Sequence, residues 1–238
     1  MKFENTDVWG FEHALRGMRN PLNSWDKGDS GYIDRRFNDQ FYIGKNDLDL
    51  AQRLIKAGSE HRKFLRQIFV SVDVTAPLFW WKEFDTYKVG TVVNSTSTMH
   101  KLVDTPITSD CFEMGDYSDL TWFDKENYID FDKNKLNCMS TVWSNLIYYL
   151  EQLRQNYKET KDKRYWKELI RLLPESWLQK RTVTMNYENI LNMYHQRKNH
   201  KLNEWSGKDD PTKSNFCSWI LELPYVKQLF IEPFEKRE

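Results

Sequence analysis

Two segments of the chain combine basic residues with amide and hydroxyl groups, the residue types that hold a nucleotide. The first, TYKVGTVVNSTS at residues 86–97, contains Lys88, Asn94, Ser95 and Ser97. The second, QKRTVTMNYENILNMYHQR at residues 179–197, contains Lys180, Arg181, Asn186, Asn192 and Arg197. Lysine and arginine bind phosphate through charge-assisted hydrogen bonds, and asparagine offers the donor and acceptor that a pyrimidine or flavin edge requires. Beside aromatic walls, such groups predict a nucleotide pocket.

Taken one at a time, the same residues have simpler explanations. A serine and threonine run after a helix often caps its own backbone, and Asn192 can bond a neighbouring carbonyl. The sequence has no glycine-rich phosphate loop and no Gly-x-Ser-x-Gly motif. His195 and His200 are five residues apart, which places them on different helix faces and argues against a metal pair.

Composition narrows the class of protein. The 238 residues suit one domain, spanning 1–238. The 35 basic and 35 acidic residues give a formal net charge of zero. Without a broad positive field, nucleic acid is not expected as the main partner. Three scattered cysteines and the lack of an apolar leader or long apolar run lead us to expect a cytoplasmic protein that does not bind a membrane.

The hydrophobic periodicity predicts the elements that must position these groups. In residues 47–57, Leu50, Leu54 and Ala57 fall on one helical face, with Gly58 as the cap. Residues 68–75 alternate as a half-buried strand through Ile68, Val70, Val72 and Val74. After Pro77, a helix toward Gly90 carries the aromatic stripe Trp80, Trp81 and Phe84, which is expected in the core first and as a ligand wall second.

Further along, the pattern favours helices over strands. Amphipathic helices are predicted for residues 141–157 and 163–172, with inward positions at Trp143, Leu146, Ile147, Leu150, Leu153, Trp166, Leu169 and Leu172. A short strand is predicted at 181–186, followed by a helix at 187–197 whose inward residues are Ile190, Leu191 and Tyr194. The last helix is predicted at 216–224. The predicted class is α+β with more helix than strand.

Two long segments resemble the flavin-dependent thymidylate synthases, or thymidylate synthase complementing proteins. RLIKAGSEHRKFLRQIFVSVDVTAPLFWWKEFDTYKVG at 53–90 follows the order of that family's Leu-Ile-x-x-Gly-His segment and the helix before its Arg-His-Arg motif. LLPESWLQKRTVTMNYENILNMYHQRKNHKLNEW at 172–205 follows the C-terminal half, where a Leu-Pro turn precedes a strand and Asn-x-x-x-Leu-x-Asn. Order and spacing carry the resemblance more than residue identity does.

The resemblance implies a fold and an activity. The fold is a single helix-rich α+β domain with a small, mostly antiparallel sheet. The reaction reduces FAD with NADPH, takes a methylene group from methylenetetrahydrofolate, and reductively methylates dUMP to dTMP. Members are homotetramers whose neighbouring subunits share each site, so a deoxyuridine nucleotide and other copies of the chain are the implied partners.

The motif residues of the N-terminal half are largely replaced. Arg-His-Arg falls on Thr86, Tyr87 and Lys88, which the resemblance places at the flavin, and the family's nucleotide-facing glutamine falls on Glu83. The serine of Ser-x-Arg-Tyr falls on Ser97, with Asn94 beside it as a nucleotide ligand. The arginine and tyrosine of that motif become Met99 and His100.

The C-terminal half keeps more of the pattern. A phosphate-binding arginine matches Lys180, or Arg181 with a shift of one residue. Two flavin-side asparagines match Asn186 and Asn192, and a nucleotide-binding arginine matches Arg197. Lysine offers a point charge rather than the bidentate fork of arginine.

Three interpretations remain open. In the first, the site is rebuilt around Tyr87, Lys88 and His100, and Tyr87 and Lys88 act catalytically by orienting the flavin and polarising the pyrimidine carbonyl. In the second, the chain is a catalytically inactive nucleotide-binding or scaffold homologue on the same fold. In the third, it is a helix-rich interaction protein whose ten tryptophans form an interface.

Overall fold

The computed structural model describes residues 1–34, 38–114 and 139–234, and Cys138 and the side chains of Met99 and His100 lie outside the described part. The chain divides into two compact units. The first unit comprises Met1–Thr75, Phe84–Asn94 and Arg181–Glu238, and the second comprises Ala76–Glu83 and Ser95–Lys180. The expectation of one domain over 1–238 stays a prediction.

Nine α-helices and six β-strands lie within the described ranges. The strands are β1 (Lys2–Trp9), β2 (Gly31–Asp34), β3 (Asn38–Tyr42), β4 (Phe69–Pro77), β5 (Val92–Ser95) and β6 (Leu178–Asn186). The helices are α1 (Phe11–Met18), α2 (Lys45–Ala57), α3 (Leu78–Phe84), α4 (Thr98–Lys101), α5 (Met139–Thr160), α6 (Lys163–Leu172), α7 (Tyr187–Arg197), α8 (Asn203–Ser206) and α9 (Phe216–Glu222). Short 3₁₀ turns connect several of them.

A four-stranded sheet has the order β1-β4-β6-β5, and most of its residues belong to the first unit. Strands β1 and β4 are antiparallel, with a bulge between Glu4 and Asp7. Strand β6 is also antiparallel to β4, because the bonded pairs Ser71–Thr184 and Asp73–Thr182 advance in opposite directions along the two strands. A separate hairpin is formed by β2 and β3.

The central strand β4 agrees with its predicted pattern. Ile68, which precedes it, and Val70, Val72 and Val74 within it are at most 1% exposed. Alternating β-branched residues favour the strand conformation and bury one face. The strand prediction for 181–186 is also confirmed, although β6 begins three residues earlier, at Leu178.

Helix α2 ends at Gly58 as predicted, but its predicted inward face is wrong. The buried positions are Asp47, Ala51 and Ile55, whereas Ala57 is exposed and Leu50 and Leu54 are only half-buried. The reason is a buried carboxylate. Asp47 accepts hydrogen bonds from the side chains of Arg19 at 2.6 Å and Ser30 at 2.6 Å, and from two backbone N–H groups. Satisfying this charge turns α2 so that Leu50 and Leu54 line an open groove of about 1010 Å³.

Helix α3 ends at Phe84 rather than near Gly90. In the first unit, the Tyr87 N–H bonds the Phe84 carbonyl at 3.0 Å, and Gly90 has a φ of 75°. The backbone therefore leaves the helical path in a turn, and Tyr87 and Lys88 lie on a loop. The core prediction for Trp80, Trp81 and Phe84 is confirmed, because each is at most 1% exposed.

The second unit has its own apolar cluster on α5 and α6. Leu150 and Leu169 are fully buried with Leu102, Ile107 and Phe112. The predicted inward residues Trp143, Leu146, Ile147 and Leu153 pack against this cluster. Leu172 is 49% exposed, so its predicted inward position is wrong, because α6 ends at this residue and the chain turns toward Pro174.

In the first unit, α7 has the predicted bounds, with Ile190 and Leu191 buried. Helix α9 also forms where predicted, but it is not the last helical segment. A π-helical turn at Lys227–Ile231 follows it and buries Leu229 and Phe230. In the first unit, the strand at 68–75 and the helix at 187–197 therefore form the framework that carries the candidate site.

Candidate functional site

Helix α7 starts with a reciprocal capping arrangement. The Asn186 side-chain oxygen accepts from the Asn189 N–H at 3.0 Å, and the Asn189 side-chain oxygen accepts from the Asn186 N–H at 3.4 Å. Asparagine is a favoured N-cap because it satisfies N–H groups that the first helical turn leaves unpaired. Asn186, predicted at the flavin, therefore holds the helix start through its oxygen.

The loop of Tyr87 is attached to this helix start. The Asn189 side-chain N–H donates to the Val89 carbonyl at 2.7 Å. A Cβ atom placed on Gly90 would lie 2.7 Å from Asn189 Oδ1 and 2.9 Å from Asn186 Nδ2. Only glycine fits this approach at a positive φ. The two asparagine amides and Gly90 thus fix the loop against α7.

Tyr87 and Arg197 meet at the other end of α7. Arg197 Nε donates to the Tyr87 hydroxyl at 2.8 Å, and that hydroxyl donates to Gln196 Oε1 at 2.9 Å. Two side chains 110 positions apart in the sequence are therefore joined in one chain of hydrogen bonds. Two residues that were assigned separately to catalysis and to nucleotide binding lie in direct contact.

Aromatic rings fix the Arg197 guanidinium in place. Its carbon lies 4.6 Å from the Trp205 ring centre and 5.5 Å from the Tyr87 ring centre. Trp205 is fully buried and packs edge-on against Phe216 at 5.1 Å. A cation over an aromatic face is attracted by the ring quadrupole, and the hydrogen bond from Nε to Tyr87 restricts rotation of the guanidinium. Arg197 is therefore held in one orientation.

Cys217 lies close enough to Arg197 for their charges to interact. Burial raises the pKa of the Cys217 thiol to about 12, and the positive charge of Arg197 offsets only part of this rise. The thiol is protonated at neutral pH, and a protonated thiol is a poor nucleophile. The arrangement therefore supplies a fixed cation and a hydroxyl rather than a covalent cysteine.

A second polar cluster lies on the Glu188 side of α7. Glu188 accepts from Arg62 Nε at 3.3 Å and from Arg66 Nε. The Arg62 Nη2 group also donates to the Asn192 side-chain oxygen at 2.9 Å. Asn192, predicted at the flavin, is exposed and keeps its amide N–H groups as donors. We call Arg62, Arg66, Glu188 and Asn192 the Glu188 cluster.

Three predicted ligands of the first unit lie at its surface. Thr86, Lys88 and Asn94 are all exposed, Lys88 on the loop after α3 and Asn94 on β5. Arg181 donates to Asp85 at 2.8 Å. Burial lowers the pKa of Arg181, although Asp85 acts in the opposite direction. Arg181 is thus committed to an ion pair near the turn that carries Thr86.

The remaining predicted ligands belong to the second unit. Glu83, Ser97 and Lys180 are each partly buried. The Ser97 carbonyl accepts from the Lys101 N–H at 2.9 Å at the start of α4. The Lys180 carbonyl accepts from the Thr96 N–H at 2.9 Å and from the Thr96 hydroxyl at 3.1 Å. Thr96 therefore bonds another strand rather than capping its own backbone.

Several site residues were missed at the level of sequence: Arg62, Arg66, Glu188, Gln196 and Trp205. Glu188, Asn192 and Gln196 follow one another at intervals of four on α7 and therefore share one helix face, which was the available signal. Arg62 and Arg66 belong to a 3₁₀ segment at Lys63–Gln67 and its N-cap, where the period is three, so their spacing gave no such signal.

No group of three or more histidine, cysteine, aspartate or glutamate residues suited to a metal ion is present in residues 1–34, 38–114 and 139–234. Within the same ranges, no helix combines the length and the apolar character needed to cross a bilayer.

The sequence matches no protein-family model and no curated protein. The structure is similar to the flavin-dependent thymidylate synthase ThyX from Helicobacter pylori complexed with FAD and dUMP, with a TM-score of 0.61 and 16% identity over 99% of this chain and 100% of that chain. It is also similar to the UMP/dUMP methylase PolB from Streptomyces cacaoi. For PolB bound with 5-bromo-UMP the TM-score is 0.54 at 12% identity, covering 97% of this chain and 93% of that chain. For PolB bound with 5-bromo-dUMP it is 0.50 at 15% identity, covering 82% and 77%. The predicted fold class is confirmed: the chain has the helix-rich α+β fold of ThyX, with a small antiparallel sheet.

Proposed function

We propose that the chain binds a deoxyuridine nucleotide and FAD and that it reductively methylates dUMP to dTMP. The observation that carries this proposal is the Arg197 guanidinium, held between Tyr87 and Trp205 on a fold shared with two proteins whose structures contain uridine nucleotides or their analogues. One domain over 1–238, a homotetramer and a cytoplasmic location complete the proposal.

Arg197 is the proposed phosphate ligand. Its Nε is bonded to Tyr87, and guanidinium presents five N–H donors in a rigid plane. A planar donor set held before the ligand arrives loses little conformational entropy on binding an oxyanion. From the resemblance, Glu83, Asn94, Ser97 and Lys180 remain candidate nucleotide ligands.

The residues of the first unit fit a flavin in part. The helix cap uses the Asn186 oxygen, which leaves the Asn186 side-chain nitrogen beside Gly90 as a donor, and Asn192 has an exposed amide. Such groups suit the polar edge of a flavin ring. Thr86, Tyr87, Lys88, Asn186 and Asn192 are the proposed flavin contacts. Bound FAD, reduced by NADPH, would supply the hydride for reductive methylation, with methylenetetrahydrofolate as the one-carbon donor.

Tyr87 and Lys88 are the proposed catalytic residues. The Tyr87 hydroxyl has a fixed direction because it is bonded on two sides, and Lys88 brings an exposed ammonium on the same loop. Preorganised donors stabilise charge that develops on a pyrimidine carbonyl without a covalent step. Their proposed role is therefore to orient and polarise.

Binding of dUMP to Arg197 variants tests the nucleotide site. Calorimetry should show that Arg197→Ala weakens dUMP by at least about tenfold, since a hydrogen bond to a charged group is worth about 1.5–3 kcal/mol. Arg197→Lys should keep part of the affinity. Arg171→Ala, which removes an exposed arginine paired with Glu168, is the matched control. Equal dUMP affinity in wild type and Arg197→Ala would remove this residue from the site.

One observation favours a second candidate, a non-catalytic nucleotide-binding homologue. The histidine position of the family's Arg-His-Arg is Tyr87, and its hydroxyl is engaged with Arg197 and Gln196. The first arginine position is Thr86, which carries no charge. Such a protein would bind dUMP without oxidising NADPH. An anaerobic assay of NADPH oxidation in the presence of FAD, dUMP and methylenetetrahydrofolate separates the two candidates.

A further inference from the structure

The Glu188 cluster has a surplus positive charge in a fixed arrangement. Two arginines share one carboxylate, and the Glu188 side chain is only 8% exposed. Arg62 is also largely enclosed, at 16% exposed, because it bridges Glu188 and Asn192. Glu60 also lies close enough to Arg66 for their charges to interact, and it is itself paired with Lys63 at 3.4 Å. Three cations and two carboxylates leave a net charge of about one positive unit.

Arg66 is the member of the cluster that faces solvent. Its side chain is 52% exposed, and it contacts Glu188 through Nε alone. Among the residues that the structure describes, no hydrogen bond from its Nη groups is found. Nε and one Nη share an edge of the guanidinium plane, so a partner at Nε still leaves the edge formed by the two Nη groups open to a bidentate contact with phosphate oxygens.

The surroundings add further cationic charge and a neutral donor. Burial lowers the pKa of His195, and the nearby charges of Lys198 and Arg62 lower it further, so Lys198 is a second cation close to Arg62 on this side of α7. The exposed Asn192 amide adds a neutral donor beside Arg62. The cluster thus combines an arginine fork with an amide, a set that suits an oxyanion.

The cluster is separate from the Arg197 site along α7. Glu188 and Gln196 are eight residues apart, which is about 12 Å at the rise of an α-helix. A single phosphate group cannot contact both ends of that distance. A ligand phosphate at Arg66 is therefore a different phosphate from one at Arg197.

We propose that Arg66, held by Glu188 and supported by Arg62 and Asn192, binds the pyrophosphate of a dinucleotide cofactor. Naming the cofactor rests on the proposed function, whereas the oxyanion site rests on the contacts of the cluster alone. Arg66 is a binding residue, and Glu188 is a positioning residue that fixes its direction.

The test measures binding of inorganic pyrophosphate, ADP, FAD and dUMP to the wild type, Arg66→Gln and Arg66→Lys. Arg66→Gln should weaken pyrophosphate, ADP and FAD by at least about tenfold, as expected for a lost charge-assisted contact. Arg66→Lys should weaken them less, and dUMP should bind all three proteins equally. Arg53→Gln changes an exposed arginine of the same unit that is paired with Asp49 at 3.0 Å. This variant is the matched control and should bind every ligand as the wild type does.

The outcomes separate this inference from the proposed function. Pyrophosphate binding that depends on Arg66, without any FAD binding, would support the oxyanion site and overturn the flavin proposal. FAD and dUMP binding that Arg66→Gln leaves unchanged would overturn the oxyanion site alone. Failure of the wild type to bind pyrophosphate and ADP, or an equal loss in Arg53→Gln, would also overturn it. Glu188 keeps Arg62 as a partner in Arg66→Gln, so this variant is expected to fold.

Discussion

Replacing Glu151 by glutamine should destabilise the second unit by an amount that depends on pH. Glu151 Oε1 accepts from Arg154 Nη2 at 2.5 Å, and Oε2 accepts from Arg154 Nε at 2.7 Å and the Ile107 N–H at 2.8 Å. The Arg154 side chain is only 7% exposed and also donates to the Val103 carbonyl. The ion pair therefore joins α5 to the loop before the Phe112 region.

The pKa of Glu151 gives the magnitude. The hydrogen bonds from Arg154 are the main cause of its fall from 4.5 to about 2; burial opposes this fall, and the Ile107 N–H adds to it. A difference of 4.5 − 2, or about 2.5 units, corresponds to about 3.4 kcal/mol at 1.36 kcal/mol per unit. Because the folded-state pKa is lowered, the stabilisation is complete above the unfolded pKa. It decreases as pH falls toward 2 and is about 1.4 kcal/mol at pH 3.

Urea unfolding of the wild type and Glu151→Gln, followed by tryptophan fluorescence, measures the destabilisation at pH 7 and at pH 3. Trp143 and Trp177 pack against the affected cluster and report on it. Glu168→Gln, which removes an exposed i,i+3 partner of Arg171, is the control and should leave stability nearly unchanged. A loss for Glu151→Gln that is the same at pH 7 and pH 3 would refute the ion-pair reasoning.

Three further predictions concern the first unit. Gly90→Ala should lower the free energy of unfolding by more than Gly58→Ala does. Both glycines have a positive φ, but only at Gly90 would the added carbon lie within 3 Å of side-chain atoms. Thermal unfolding of the two variants measures the difference. Asp47→Asn should cost about 3–5 kcal/mol by leaving Arg19 buried without its charge partner. Burial raises the Asp47 pKa, but its hydrogen bonds outweigh burial, so the pKa is lowered overall. The destabilisation by Asp47→Asn should therefore shrink as pH falls below about 4. A destabilisation that does not depend on pH would contradict the assignment. Tyr87→Phe should keep the fold and weaken dUMP several-fold, because the guanidinium loses the acceptor that fixes it; unchanged calorimetric affinity would argue against this role.

Periodic patterns made the framework predictable. Features that depend on buried ion pairs between residues distant in sequence could not be predicted. Strand β4 and helix α7 follow local spacing, so their existence and type could be inferred directly. The rotation of α2 depends on Asp47 meeting Arg19, which is 28 residues away in sequence. Hydrophobic periodicity takes no account of ion pairs, so it predicted that Leu50 and Leu54 face the core.

The candidate site was predictable in residue type but not in its connections. Arg197 and Tyr87 were selected from the resemblance and from the chemistry of their side chains. Their mutual hydrogen bond spans 110 positions, and the Arg62–Asn192 bond spans 130. No local spacing encodes contacts of that range, so the Glu188 cluster emerged only with the fold.

The visible absorbance spectrum of the purified protein, recorded after incubation with FAD and gel filtration, tests the central claim most directly. The proposed function predicts that the flavin bands stay with the protein and change when dUMP is added. A colourless protein that retains no FAD would contradict the flavin-dependent reaction and favour the non-catalytic nucleotide-binding homologue.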